Sequence, residues 1–494
     1  MKSRVRFVGL LAGPLASGLL YLWLPEHYLN QHGQFVELSS PARAAAAAGI
    51  WMAVWWMTEA ISVYATALLP LALFPLTGAA TIKATAASYG HEIIFLFLGG
   101  FVLALALERC GLHRRFALRV LQLVGTQPTR IIGAFMGIAA FISMWVTNTA
   151  TTIMLLPIAL SIIDMMAQKG DCKNSDFSVC LLLGLAYAAS IGGIGTIVGT
   201  APNVFIVSFM QSQMGREISF VKWMIIALPL VLVFLPLTWW LMCRVIFSVS
   251  KTRIPDVDAL LRTLNADLGL MRREEVLTLI IFVLTAVAWV TRPMLNSLSF
   301  GGVHPLAGLT DSGIAVIAAL VLFVTPVNLS AGQFLMNWET AVKLPWGLLI
   351  LFGGGLSLAA ALDNTGFSQF LGSSAAVLSA LPTILVVALV TAMMIFLTEM
   401  TSNTATTATL IPILYAVALG LDIDPFLLIM PAGIAASCAF MLPVATPPNA
   451  IVFGSGMVSI PQMSRAGLML NLVGIVLITL LTYAVVIPAI RIFG

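Results

Sequence analysis

The chain has 494 residues, of which 60% are hydrophobic and only 9% are charged. A soluble domain carries about 25% charged residues, so this composition excludes an ordinary water-soluble protein. Apolar runs close to the bilayer-spanning length of about 20 residues recur along the chain and predict a polytopic helical membrane protein. The net charge of +4 gives no reason to expect a nucleic-acid partner, and the five cysteines show no paired spacing typical of disulfides or a metal site.

The apolar runs predict about eleven transmembrane spans and two interrupted segments. In the first half, the predicted elements are spans at 5–24, 44–57, 60–76 and 93–112, a basic loop at 113–115, an interrupted segment at 131–166, a span from 179 that breaks at 192–203, and a span at 221–247. A polar linker at 248–275 follows. In the second half, they are spans at 276–290, 312–327 and 347–362, a short interfacial helix at 337–344, an interrupted segment at 383–419, a span from 426 that breaks at 445–449, and a span at 468–490.

Two polar clusters lie inside the interrupted segments, where hydroxyl and amide groups are costly without partners. The first cluster, 145–152, reads Trp-Val-Thr-Asn-Thr-Ala-Thr-Thr, and the second, 400–407, reads Met-Thr-Ser-Asn-Thr-Ala-Thr-Thr. Each segment is too long for one straight span, so each is predicted to form a re-entrant hairpin of two half-length helices. A single hydroxyl in a membrane helix often bonds only the preceding turn, but a duplicated cluster in register with Asn favours a binding role.

The two clusters belong to an internal repeat that covers much of the chain. Asn148 and Asn403 match at an offset of 255 residues, and further on Thr200 and Thr446 match at an offset of 246. The distribution of Lys and Arg in loops places the N-terminus in the cytoplasm and the C-terminus outside, which makes the two repeats inverted. Inverted repeats with broken helices at the midplane are the architecture of secondary transporters.

Each predicted hairpin tip offers two kinds of binding group, because the incoming helix ends in unpaired carbonyls and the outgoing helix begins with unpaired N–H groups. The carbonyls are predicted to bind a cation together with Ser143, Asn148, Thr398 and Asn403. The N–H groups suit a carboxylate, together with the hydroxyls of Thr147, Thr149, Ser402 and Thr404. No Lys or Arg lies in 131–166, 179–210, 383–419 or 426–464. Co-transported Na⁺ is therefore predicted to offset the desolvation cost of a dianion.

The paired Ser/Thr-Asn-Thr motifs, with Gly-Thr-Ala-Pro-Asn at 199–203 and Ala-Thr-Pro-Pro-Asn at 445–449, resemble the divalent anion/sodium symporter family, which carries di- and tricarboxylates or sulfate. The resemblance covers nearly the whole chain and implies a homodimer whose transport domains move like an elevator against a fixed scaffold. It implies two Na⁺ sites, at Ser143, Thr147, Asn148 and Gly199 and at Thr398, Ser402, Asn403 and Ala445. It implies substrate contacts with Thr147, Asn148, Thr149, Thr200, Ser402, Asn403, Thr404, Thr446 and Pro447. Thr147 stands where the family usually has Ser.

The expected function is Na⁺-coupled uptake of a C4 dicarboxylate such as succinate, fumarate or malate across the cell (inner) membrane, with no enzymatic activity. The alternatives are a di- or tricarboxylate exchanger and a symporter of sulfate or another divalent anion. A proton-coupled carrier would need a titratable group at the tips, and only Glu399 is close. The predicted scaffold halves are 1–127 and 249–380, the second including the linker, and the predicted transport halves are 128–248 and 381–494.

Overall fold

The computed structural model describes residues 2–30, 33–167, 176–249, 257–299, 302–375 and 380–493. Within these ranges nine helices are long and apolar enough to cross a membrane, and five further apolar helices are shorter. The predicted all-α polytopic fold is thus confirmed, whereas the number of about eleven spans stays a prediction. The basic residues at 169 and 173 and those at 251 and 253 of the predicted linker lie outside the described residues.

The described part of the first half consists of helices, their connecting turns and one small β-hairpin. Its two antiparallel strands, His27–Leu29 and Phe35–Glu37, lie in the polar segment after the first helix. The helices are Lys2–Trp23, Ser40–Thr58, Val63–Thr66, Leu69–Thr77, Ile82–Ala87, Glu92–Cys110, Leu112–Val124, Pro128–Ser143, Asn148–Ala167, Asp176–Gly193, Ala201–Met214 and Phe220–Leu241. Short 3₁₀ turns occur at Ser88–Gly90 and Ile197–Gly199.

The second half has the same character, with paired strands at Pro326–Asn328 and Gln333–Phe334. The helices are Val257–Ala266, Arg273–Ser297, Asp311–Val324, Trp338–Ala341, Trp346–Asn364, Phe367–Ala375, Thr383–Thr398, Asn403–Gly420, Phe426–Ala435, Pro447–Phe453, Ile460–Leu481 and Ile487–Phe493. The first of these shows that the predicted polar linker contains an amphipathic helix.

The helices reproduce the internal repeat seen in the sequence. We call Pro128–Ala167 hairpin 1 and Thr383–Gly420 hairpin 2. Their incoming arms both have 16 residues, and their outgoing arms have 20 and 18 residues. At 1.5 Å per residue the arms are about 24–30 Å long, so the prediction of half-length helices was wrong. The correspondence continues to the helices Phe220–Leu241 and Ile460–Leu481, each of 22 residues and each followed by a five-residue π turn.

The basic triplet 113–115, predicted to be a loop, lies instead in the amphipathic helix Leu112–Val124. The Arg115 guanidinium is buried there, with its Nε 3.1 Å and Nη2 3.0 Å from the Glu275 carboxylate oxygens. The carbonyls of Leu268, Gly269 and Leu270 accept its remaining N–H groups. A buried Arg needs this full set of partners, so the residue acts as an anchor rather than as a surface charge.

The two halves cross over around the hairpins. Pro447–Phe453 from the second half packs against the outgoing arm of hairpin 1, and Ala201–Met214 from the first half packs against the outgoing arm of hairpin 2. Each hairpin therefore lies beside a helix that starts at the break of the opposite half. The assignment of 1–127 and 249–380 as scaffold, and of 128–248 and 381–494 as transport halves, stays a prediction.

Candidate functional site

Each hairpin turns within four residues, 144–147 (tip 1) and 399–402 (tip 2). The last residue of each tip caps the outgoing helix, because the Thr147 hydroxyl accepts from Ala150 N at 3.3 Å and the Ser402 hydroxyl accepts from Ala405 N at 3.5 Å. Capping uses an oxygen lone pair and leaves the hydroxyl proton for another acceptor. The two hydroxyls thus have a structural role in addition to any contact with a ligand.

Two hydroxyls, those of Ser143 and Thr398, are fully buried behind the tips, each five residues before the Asn of its cluster. Ser143 Oγ donates to Asn148 Oδ1 at 2.5 Å in the first half. In the second half Thr398 Oγ1 donates back to the Ile395 carbonyl at 3.0 Å, and the buried Asn403 Oδ1 has no hydrogen-bond partner among the described residues. The Oδ1 atoms of Asn203 and Asn449 also lack a donor among the described residues. Asn403 differs from these two because it lines the cavity at a tip, where its free oxygen can serve as a cation ligand.

The first broken span opens between Gly193 and Ala201, and we call residues 194–200 break 1. A Cβ on Gly193 would lie 2.6 Å from Asn148 Oδ1, 2.6 Å from Thr200 Cγ2 and 3.2 Å from the Gly199 carbonyl oxygen. Only glycine leaves this space open, so two oxygens from different elements face one small gap beside Ser143. Asn148 and Gly199 belong to the predicted ligand set of the first cation, and Ser143 is hydrogen-bonded to Asn148, but a cation site at this gap stays a prediction.

The second broken span opens earlier than predicted, because its first helix ends at Ala435 and residues 436–446 (break 2) have no regular helix. Glu399 from tip 2 holds this segment. Its carboxylate accepts from the backbone N–H groups of Phe440 at 2.7 Å, Met441 at 2.9 Å and Leu442 at 3.1 Å, and from Asn471 Nδ2 at 2.7 Å. These donors account for both carboxylate oxygens, so the structure gives Glu399 a positioning role.

The two repeated Pro-Asn pairs start helices rather than kink them. Pro202 and Pro448 occupy the first turns of their helices, where no backbone N–H is needed. The Asn203 amide donates to the carbonyls of Gly193 and Thr196 at 3.0 and 2.8 Å in break 1. The Asn449 amide donates to two carbonyls of break 2 at 3.3 and 3.1 Å. Each amide therefore connects the start of its helix to the preceding break through hydrogen bonds.

Both tips and both breaks face one cavity of about 790 Å³. All the predicted substrate residues line it, namely Thr147, Asn148, Thr149, Thr200, Ser402, Asn403, Thr404, Thr446 and Pro447. The backbones of Gly199 and Ala445 line it as well, while Ser143 and Thr398 are fully buried behind the tips. The cavity-lining residues can therefore contact a ligand, whereas the buried hydroxyls of Ser143 and Thr398 can complete the coordination shell of a cation.

Some hydroxyls of the two clusters have purely local partners. Thr152 donates to the Asn148 carbonyl at 2.8 Å and Thr407 donates to the Asn403 carbonyl at 2.7 Å, each within its own helix. Pro447 has no N–H and can offer the cavity only its ring and its carbonyl. The groups that remain for an anion include the hydroxyls of Thr149 and Thr404, the free hydroxyl protons of Thr147 and Ser402, and the first N–H groups of two long helices.

Four charged residues outside the hairpins and breaks also line the cavity, and sequence reasoning missed all of them as ligand-facing groups. Arg6 Nη2 lies 2.9 Å from Glu59 Oε2. Within the described ranges, Lys343 and Glu108 have no ion-pair partner within 4.0 Å. Glu108 matches Asp363 in the repeat, which indicated only the end of a span, and no sequence pattern marks the other three residues. Only the tertiary structure brings these four positions to the cavity.

The residues behind the tips suit a weakly polarising cation such as Na⁺. The available groups are neutral oxygens from hydroxyls, amides and backbone carbonyls, including the orphan Asn403 Oδ1 and the gap beside Gly193. Hard alkali and alkaline-earth cations prefer such oxygen ligands, whereas transition metals favour nitrogen and sulfur. In the described part of the chain, no three His, Cys, Asp or Glu side chains converge into a transition-metal cluster.

Comparison with known proteins gives matches over nearly the full chain. The profile of the family described as the sodium:sulfate symporter transmembrane region matches residues 35–488. A protein named sodium-dependent dicarboxylate transporter SdcS, from Staphylococcus saprophyticus, is 41% identical over 494 residues, which cover 99% of this chain and 92% of that protein. A transporter of the same name from Staphylococcus aureus is 40% identical over 489 residues, which cover 98% of this chain and 92% of the relative.

A solved structure supports the fold. The YdaH transporter of Alcanivorax borkumensis, described as having an unusual topology, matches with a TM-score of 0.55 over 97% of this chain and 98% of that one. The two sequences are only 14% identical, so this likeness concerns the architecture alone.

Proposed function

Since the chain belongs to the sodium:sulfate symporter family of divalent anion/sodium symporters, we propose that it carries a C4 dicarboxylate such as succinate, fumarate or malate into the cell with Na⁺. The observation that carries this proposal is the cavity of about 790 Å³ between two helix N-termini, with no Lys or Arg in either tip. A carboxylate at each helix start matches the two ends of a dicarboxylate.

The substrate binds across the two tips in this proposal. One carboxylate accepts from the first N–H groups of Asn148–Ala167 and from the Thr149 hydroxyl. The other accepts from the start of Asn403–Gly420 and from the Thr404 hydroxyl. Thr200 and Thr446 close the sides of the site from the two breaks.

Two Na⁺ ions bind behind the tips and offset the charge of the dianion. The first ion takes oxygens from Ser143, Asn148 and the Gly199 backbone, and the second from Thr398, Asn403 and the Ala445 backbone. The hydroxyl oxygens of Thr147 and Ser402 lie beside these sites. Because each cation site shares its Asn with the substrate site, cation binding organises the tip that then holds the carboxylate.

The protein acts in the cell (inner) membrane as a multi-pass homodimer, with its N-terminus in the cytoplasm and its C-terminus outside. The cavity is bordered by Arg6 and Glu59, which lie near the start of the first helix and the end of the second. We therefore place the opening of the cavity on the cytoplasmic face. An elevator movement of the transport halves against the scaffold would carry the two tips to the other face.

Uptake by the purified protein in proteoliposomes tests this function. We expect radiolabelled succinate to accumulate when Na⁺ is outside and not when choline replaces it. Equal uptake in choline would contradict Na⁺ coupling. Efficient counterflow without any Na⁺ would favour an anion exchanger, and competition by sulfate but not by fumarate or malate would favour a sulfate symporter.

Paired variants test the assignment of the two layers. Ser143→Ala and Thr398→Ala should raise the Na⁺ concentration that gives half-maximal uptake, because a cation shell loses a ligand worth about 1–3 kcal/mol. Thr149→Ala and Thr404→Ala should instead weaken dicarboxylate binding even at saturating Na⁺.

Uptake measured over a grid of Na⁺ and dicarboxylate concentrations separates these two effects. Thr152→Ala is the matched control, because its hydroxyl bonds only its own helix, and it should change neither parameter. If Ser143→Ala and Thr398→Ala leave the Na⁺ dependence unchanged, the cation sites are misplaced.

A further inference from the structure

The cavity has two charged side chains that the proposed binding sites leave unused, Lys343 and Glu108. The other two charges in its walls, Arg6 and Glu59, are 2.9 Å apart and largely cancel each other. Lys343 and Glu108 are both exposed, and neither has an ion-pair partner within 4.0 Å in the described ranges. Their charges therefore act on whatever enters the cavity.

The backbone holds Lys343 at the cavity wall. Its N–H donates to the Thr340 carbonyl at 3.0 Å, the next residue, Leu344, is buried, and Pro345 caps the following helix. The ammonium group lies on a flexible stem attached to this fixed point. Glu108 lies in the last turn of the helix Glu92–Cys110.

Neither residue belongs to the elements that form the proposed binding sites. Lys343 connects the helices Trp338–Ala341 and Trp346–Asn364, and Glu108 belongs to a helix of the first predicted scaffold half. If the tips carry the bound ions across the membrane, the two charges stay behind on the scaffold. The charges of Lys343 and Glu108 can then act on the transported ions only in the state in which those ions are in the cavity.

We propose that Lys343 attracts, and Glu108 repels, the dianionic substrate on one face of the membrane only. This inference rests on the proposed Na⁺-coupled dicarboxylate transport. Lys343 lowers the half-saturating dicarboxylate concentration on the face where the cavity opens, which we place on the cytoplasmic side. Glu108 raises it by repelling the same dianion. On the opposite face the tips would be remote from both charges.

The size of the effect follows from Coulomb attraction in a wet cavity. At a water-like dielectric, the interaction of a unit charge with a dianion roughly 9 Å away changes the affinity for the dianion about 5-fold without salt. The change is about 2-fold when this separation equals one Debye length. We therefore expect a change of about 2- to 5-fold that shrinks as ionic strength increases. A group that bound the carboxylate directly in a dry site would be much less sensitive to salt.

Membrane vesicles of defined orientation provide the test. The half-saturating dicarboxylate concentration is measured in right-side-out and in inside-out vesicles, at saturating Na⁺ and at low and high concentrations of choline chloride. Lys343→Met should raise this concentration about 2- to 5-fold when the substrate is added to the cytoplasmic face and leave the external value unchanged. Glu108→Gln should lower the cytoplasmic value, and Lys343→Arg should behave like the wild type.

The control is Lys83→Met, because Lys83 is exposed but does not line the cavity. It should change neither face. An equal change on both faces for Lys343→Met, no change on either face, or an effect that persists at high salt would overturn the inference. If the wild type shows no Na⁺-driven transport in either orientation, the proposed function fails and this inference fails with it. Normal wild-type transport without a sided effect overturns the inference alone.

Discussion

Replacing Glu399 by Gln should weaken the hydrogen bonds that connect tip 2 to break 2. The carboxylate is buried, with only 3% of its residue exposed, and among the described residues no Lys or Arg pairs with it. One oxygen accepts from Phe440 N, Met441 N and Asn471 Nδ2, and the other accepts from Met441 N and Leu442 N. The equivalent residue in the first half, Met144, offers no such acceptor from its side chain.

The cost of the substitution can be worked out bond by bond. With its remaining oxygen towards Phe440, Met441 and Asn471, the Gln side chain turns its amide NH₂ towards Leu442 N, which then loses its only acceptor. Loss of a hydrogen bond to a charged group costs about 1.5–3 kcal/mol, and making three others neutral costs about 1 kcal/mol each. Relief from burying a charge offsets part of this sum. We expect a net loss of about 2–4 kcal/mol of unfolding free energy.

Thermal unfolding in detergent, with Na⁺ or with K⁺, measures this effect. Glu399→Gln should unfold at a lower temperature than the wild type. It should also gain less from Na⁺, because break 2 carries the Ala445 backbone and lies beside Asn403. Asn471→Leu is the graded control, since it removes one of the four donors and should cost less. Unfolding of Glu399→Gln at the wild-type temperature, with unchanged stabilisation by Na⁺, would refute the positioning role.

Two further predictions concern the first cation site and the substrate's charge. Gly193→Ala places a Cβ 2.6 Å from Asn148 Oδ1 and from Thr200 Cγ2, so it should raise the Na⁺ concentration required for uptake. Gly137→Ala is the control, because no atom lies within 4 Å of its Cβ, and it should leave this concentration unchanged. Equal Na⁺ dependence in both variants would contradict the shared gap. Uptake should fall as the pH drops through the second pKa of the dicarboxylate, since no described histidine lines the cavity. Burial lowers the pKa of His113, and this residue does not line the cavity. Two dicarboxylates with different second pKa values should give shifted profiles, and identical profiles would point to a titrating protein group.

The sequence by itself determined the helical membrane fold, the repeat and the first helix break, whereas the second break opens at residue 436 rather than at the predicted 445. These features depend on local chemistry. A run of apolar residues must contact lipid or a protein core, and Gly and Pro interrupt the hydrogen bonds of a helix. A cluster of hydroxyls beside an Asn in an apolar segment needs hydrogen-bonding or ligand partners. The register of the repeat placed Asn148 and Asn403 at equivalent helix starts, and both begin helices in the structure.

Only the tertiary structure decided how distant segments meet. Arg115 appears in the sequence as part of a basic loop, but its pairing with Glu275, 160 residues away, makes it a buried anchor. Glu399 appears as a lone intramembrane carboxylate, but break 2 folds over it and supplies its donors. No sequence pattern marks Lys343, because its proposed effect on the substrate depends on its position in the wall of the cavity. Such contacts depend on the packing of elements far apart in the chain, and no local periodicity encodes them.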